Sequence, residues 1–217
     1  MQAEKPRILT ARLNLTRINK EHEGALSAIL SDPEVMYAWE HGFSAADCRE
    51  WFDRQYARYA QGQEGLFAVT LRSTGQVIGW CGITLQDISG MTPCGNICGS
   101  AAEMSVCREN SVWEIGYGFA KQFWHYGYAA EAAKACKLLA FSLNISEVYS
   151  IIRTNNLPSI RVAERNGMSP VGTVIKHYRG KVMPHTVFKT SIWQTKSCEL
   201  PMSDTIFARV VSTKVDK

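Results

Sequence analysis

No run of about five or more basic residues occurs in the 217-residue chain, and lysine and arginine outnumber the acids only 24 to 20. A formal charge of +4 is too small for the basic footprint of a nucleic-acid-binding protein, although it suits an anionic small ligand. No apolar stretch approaches the roughly 18 residues of a membrane span. No leader of basic and then apolar residues opens the chain, so the expected location is cytoplasmic. Phosphate-loop and dinucleotide fingerprints (GK[ST], GxGxxG) are absent, as are internal repeats and low-complexity tracts. The seven cysteines are an odd number and make no disulfide framework, so reduced thiols are expected. Three of them, Cys94, Cys98 and Cys107, share one segment. They lack the paired spacing and the nearby histidine of a zinc site, and no metal is expected there.

What is present reads as one soluble domain over 1–193 with an extension over 194–217. Hydrophobic residues make up 46%, enough to fill a sizeable core. "ILTARLNLT" (8–16) alternates, with Leu9, Ala11, Leu13 and Leu15 on one face, and predicts a half-buried strand. Helices are predicted over 20–30 and 44–60. The second is opened by a capping box from Ser44 to Asp47, and its stripe of Trp51, Phe52, Tyr56 and Tyr59 reads as core packing. A hairpin follows over 66–72 and 76–85. Residues 87–111 show no period and read as a long loop bordering a site.

"VWEIGYGF" (112–119) predicts a strand whose two faces differ. Trp113, Ile115, Tyr117 and Phe119 point one way, and Glu114, Gly116 and Gly118 the other. Glycine inside a strand costs stability and often marks close approach by a ligand. That face therefore reads as a floor bearing one ionisable group, against the alternative of a surface glutamate. "WHYGYAAEAAKA" (124–135) then opens a helix at Gly127 with almost no side chain in its first turn. Such an end offers unpaired N–H donors and a partial positive charge to an anion, unless the small residues serve only to pack the helix on the sheet. The strand "EVYSIIR" (147–153) closes a crossover, which makes the two strands parallel neighbours. Ligands in such sheets bind beyond the carboxyl ends of parallel strands. Pro158 and Gly167 bound a further helix, and a closing hairpin is predicted over 170–178 and 185–193.

In that order, "EIGYGF…FWHYGYAAEAA…SIIRTNNLPSIRVAERNGM" resembles the GNAT superfamily of acyl-CoA N-acyltransferases, in its ribosomal-protein N-acetyltransferase-like (RimJ/RimL-type) branch. The likeness runs from about Arg7 to Trp193. It implies an α/β (α+β) fold: a mixed, curved sheet of about six to seven strands, two of them parallel and splayed, flanked by about four helices. It also implies acetyl-CoA as co-substrate in the wedge between the splayed strands. The pyrophosphate would sit on the backbone of Trp124, His125, Tyr126, Gly127, Tyr128, Ala129 and Ala130, with His125 standing where the branch has glycine. The pantetheine arm would pair with Tyr117, Gly118 and Phe119. Asn156 would hold that arm, and Ser159 would lie near the thiol, although both residue types also serve as helix caps.

The implied chemistry is direct transfer of acetyl to a primary amine, a protein N-terminus or a small molecule, with Glu114 as base. Ser159 would serve the departing thiolate, with Tyr178 and Tyr128 as rivals. A backbone N–H of the same strand would polarise the thioester carbonyl. The acceptor site is expected from the first helices, the 87–111 loop and a 177–185 hairpin loop. The alternative is a non-catalytic acyl-CoA sensor of the same fold. A homodimer is left open.

Overall fold

The computed structural model describes residues 8–89, 92–93 and 111–196. Its strands are β1 (Ile8–Leu9), β2 (Leu13–Arg17), β3 (Leu66–Leu71), β4 (Val77–Asp87), β5 (Thr92–Pro93), β6 (Ser111–Phe119), β7 (Glu147–Arg153), β8 (Ser169–Tyr178) and β9 (Lys181–Ser191). The helices are α1 (Lys20–Ser31), α2 (Ala45–Ala60), α3 (Tyr128–Ser142), α4 (Leu157–Arg165) and α5 (Ile192–Lys196).

The described strands form one mixed sheet in the order β1-β2-β3-β4-β6-β7-β9-β8-β5. It has nine strands rather than the expected six to seven, because β1 and β5, of two residues each, add to both edges. Only β6 and β7 run parallel among the described pairs, joined by the crossover through α3. On one face α3 packs its small residues Ala132, Ala133, Cys136 and Ala140 onto Leu13, Phe67, Ile83 and Ile115. On the other face α1 and α2 cover Ala68 and Trp80 with Leu26, Leu30, Trp51 and Phe52. Burying both faces explains the unbroken run of buried residues from Ile78 to Thr84 in β4.

Local signals account for most of these boundaries. The Ser44–Asp47 capping box opens α2 as predicted, and Trp51 and Phe52 enter the core. A second box, Asn19 with His22, opens α1; its histidine lies outside the usual Ser/Thr-x-x-Glu pattern. The predicted strand over 8–16 is broken. The Thr10 N–H donates to the Leu13 carbonyl at 3.0 Å, and the chain doubles back so that Ile8 pairs with Leu15. Leu9 is left exposed and Ile8 takes the buried place. The expected 177–185 loop is also corrected. Arg179 and Gly180, both at positive φ, make a tight two-residue turn of the kind that hairpins favour, and the strands continue to Tyr178 and from Lys181. Cys94, Cys98 and Cys107, most of the 87–111 segment and residues 197–217 lie outside the described residues. Among the described residues no helix is long and apolar enough to cross a membrane.

Candidate active site

Parallel strands β6 and β7 share a single paired position, Glu114 with Tyr149, and then part. The parting leaves backbone groups without ladder partners, and a buried polar group must be satisfied somehow. Two side chains do this. The Ser150 hydroxyl donates to the Ile115 carbonyl at 3.1 Å, and Glu114 Oε1 accepts the Ile151 N–H at 3.2 Å. Glu114 thus sits at the apex of the splay. Burial raises its pKa above the ordinary carboxylate value, opposed by the Lys176 charge and the Ile151 N–H.

The two glycines on the Glu114 face do different work. A Cβ at Gly116 would meet nothing nearer than Leu66 Cδ2 at 3.9 Å, so the strand opens there onto free space. A Cβ at Gly118 would lie 2.2 Å from the Trp80 ring. Gly118 therefore makes room for an indole rather than for a ligand, a distinction that the sequence pattern does not carry.

Above this floor lies a chamber of about 440 Å³, walled by Trp39, Trp51, Trp80, Arg58, Lys176 and His185. A second cleft, of about 250 Å³, runs between the start of α3 and α4. It is lined by Trp124, His125 and Gly127–Ala130, by Tyr117–Phe119, and by Asn156 and Ser159. Of the sequence-predicted cofactor residues, only Tyr126 does not line it. That ring is 62% exposed and stacks on Tyr128 at 5.8 Å. The cleft and the chamber share Ala38, Trp39, Trp80, Tyr117, Asn156 and Ser159 as walls, so the two spaces adjoin where β6 and β7 part.

The start of α3 is bare by construction. Gly127, at φ 80°, precedes the helix and provides no side-chain cap. His125 also has a positive φ, 65°, which suits glycine better than histidine and gives a backbone reason for the glycine expected there. The first-turn acid, Glu131, is drawn aside. Its Oε1 accepts from the Thr10 hydroxyl at 2.6 Å and the Arg12 N–H at 2.9 Å, and its Oε2 from Arg12 Nε at 2.7 Å. Arg12 also donates to the Tyr126 carbonyl at 2.9 Å.

Asn156 caps α4: its Oδ1 accepts the Ser159 N–H at 3.1 Å and the Tyr37 hydroxyl. The Tyr117 hydroxyl donates to the Ser159 carbonyl at 3.2 Å. Burial raises the pKa of both Tyr37 and Tyr117. Tyr178 stacks on His41 at 5.9 Å and lines the chamber alone, whereas Tyr128 lines the cleft alone; neither reaches the junction. Tyr37 lines the cleft too, but its hydroxyl donates to Asn156, which walls both spaces; sequence reasoning missed this residue. It opens a single helical turn, Tyr37–Trp39, in a stretch with no period to mark it.

Comparison with known proteins matches the Acetyltransferase (GNAT) domain model to residues 12–169. The Bacillus subtilis protein YkkB is 31% identical over 179 residues, covering 79% of this chain and 90% of its own. The uncharacterized N-acetyltransferase p20 of Bacillus licheniformis is 26% identical, covering 80% of this chain and 88% of its own. Among solved structures, RimL, a ribosomal alpha-N-protein acetyltransferase in complex with coenzyme A, superimposes with a TM-score of 0.64 at 15% identity, covering 87% of this chain and 98% of its own. The family model spans most of the chain and the fold is shared with RimL, so the chain belongs to the GNAT acetyltransferase family.

Proposed function

We propose that the enzyme moves an acetyl group from acetyl-CoA directly to a primary amine. The observation that carries this reading is the adjacency at the splay of a cleft beside a bare helix end and a chamber floored by a carboxylate, with Tyr117, Asn156 and Ser159 in the walls of both. The cleft residues fit coenzyme A. The uncapped N–H groups at the start of α3 suit a pyrophosphate, and β6 beyond Ile115 is unpaired on its β7 side among the described strands, as a strand-like pantetheine arm requires. Asn156 has its carbonyl oxygen engaged in capping, which leaves its amide N–H groups for the arm. RimL, which shares the fold, is in complex with coenzyme A, and this supports coenzyme A as the ligand.

In this reading the neutral amine in the chamber attacks the thioester carbon at the junction. A C–N bond forms, the C–S bond breaks, and Glu114 takes the proton from nitrogen. The Ser159 hydroxyl donates a hydrogen bond to the departing thiolate, which is then protonated from solvent. Ser159→Ala is expected to lower turnover by roughly tenfold, the worth of one hydrogen bond, with acetyl-CoA affinity unchanged by calorimetry. Unchanged turnover would remove Ser159 from the thiolate step.

The pH profile tests the base. A raised pKa means that Glu114 becomes competent only above the ordinary carboxylate range, so kcat/KM should fall on acidification through that raised value. Lys176, Arg153 and His185 share the chamber and Tyr117 borders it. The amine acceptor has an acid limb of its own. Amines of different basicity separate the two: the Glu114 limb stays fixed while the other moves. A profile that follows the acceptor alone would count against Glu114. Thiol release from acetyl-CoA across an amine panel tests the whole reading. Coenzyme A binding without any release would favour a sensor.

A further inference from the structure

The chamber holds charge of mostly one sign. Arg54, Arg58, Arg153 and Lys176 line it, and Glu114 is the single described carboxylate among its lining residues. Two of these cations are engaged. Arg153 donates to Glu40 at 2.8 Å and to the Ala38 carbonyl at 3.2 Å, and Arg54 pairs with Glu50. No ion pair with a described carboxylate engages Arg58 or Lys176. Both are half-buried, and burial lowers the Arg58 pKa, helped by the neighbouring Arg54 charge. A cation withdrawn from water without a close counter-ion is costly; this applies most to Arg58, since the Lys176 charge is felt by Glu114. The two, on α2 and β8, line one cavity whose other walls are mostly uncharged.

We infer that the acceptor amine carries an anionic group, a carboxylate or a phosphate, which Arg58 and Lys176 receive while its amine lies at Glu114. The inference rests on the amine-acetylation reading above and narrows its substrate class. The opposing charges fit this division. The lone carboxylate attracts the amine end of an acceptor, and Arg58 with Lys176, neither held in a close ion pair with a described carboxylate, attracts its other end. A polyamine or aminoglycoside would bring several further positive charges against Arg58 and Lys176, a like-charge arrangement that selects against it.

Matched pairs test the charge with little change in shape: L-alanyl-L-alanine against L-alanyl-L-alaninamide, and phosphoethanolamine against ethanolamine. The wild-type enzyme is expected to prefer the anionic member of at least one pair by about ten- to a hundredfold in kcat/KM, the range of one charge-assisted contact. Which pair responds separates carboxylate from phosphate. In Arg58→Gln/Lys176→Gln the ratio should approach one, with acetyl-CoA affinity and melting temperature retained. Preference for the uncharged members or for spermidine in the wild type would overturn the inference, with no variant needed. So would a ratio that survives the double substitution. Calorimetry with N-acetyl-L-alanyl-L-alanine and its amide, in the presence of coenzyme A, needs no turnover. A carboxylate preference in that binding without any acetyl transfer would uphold the anion site and overturn the transferase reading, whereas turnover with no charge preference would do the reverse.

Discussion

Glu114→Gln is expected to lower turnover by roughly 10²–10⁴-fold, the usual loss on removing a general base, and at the same time to raise the melting temperature. The two effects share one cause. Burial at the apex of the splay disfavours the charged carboxylate, so the folded protein holds the Glu114 proton more tightly than the unfolded chain, where the carboxyl keeps its ordinary value of 4.5. Folding therefore binds protons in the window above 4.5, and wild-type stability falls as pH rises through it. Glutamine has no charge to desolvate, and its amide oxygen can still accept the Ile151 N–H. The difference in melting temperature should thus open as pH rises and close below the ordinary carboxylate value. Acetyl-CoA affinity should hold. Near-normal turnover at neutral pH would dismiss Glu114 as the base, and an unchanged melting temperature across pH would show that burial imposes no cost there.

Ala129→Glu is expected to separate stability from ligand binding in the cleft. Ala129 occupies the second position of α3 and lines the cleft. A carboxylate there meets the positive end of the helix and should stabilise the fold by about 0.3–1 kcal/mol. It also occupies the space proposed for the pyrophosphate and repels it, so coenzyme A affinity should fall by at least roughly tenfold, as one lost charged contact implies. Gly127→Val makes the contrast. Its φ of 80° is strained for any side chain, although a Cβ there would meet only Arg12 Nη2, at 3.6 Å. That variant should lose stability along with affinity. Calorimetry and thermal melts on both variants check the placement. Full coenzyme A affinity in Ala129→Glu would move the pyrophosphate elsewhere.

Patterns of short range were legible in the sequence. The alternation in 112–119 placed Ile115 and Phe119 in the core and Glu114 over the chamber, because a strand has only two faces. The bare start at Gly127 was visible because a missing side chain is a local property. Signals that depend on a remote neighbour were not. Gly118 carries the same strand signature as Gly116, and only Trp80 on β4 tells them apart. The turn at Thr10 interrupts a clean alternation because Glu131 engages Thr10 and Arg12 from across the sheet. Arg58, Lys176 and Tyr37 carry no mark of their own. Each gains meaning from the cavity or hydrogen bond that three separate elements create.

The bond between Arg12 and Glu131 spans 119 positions of chain, and it determines where the affinity of α3 for anions resides. In an excised peptide covering α3 alone, Glu131 would rest against its own helix end and offset the charge of the bare N–H groups. The helix would then be self-satisfied and indifferent to phosphate. Only when the first strands fold across it is that resident carboxylate drawn away and the helix end made available. The proposed recognition of a pyrophosphate at this helix would therefore be a property of the assembled domain, acquired on folding and lost with it.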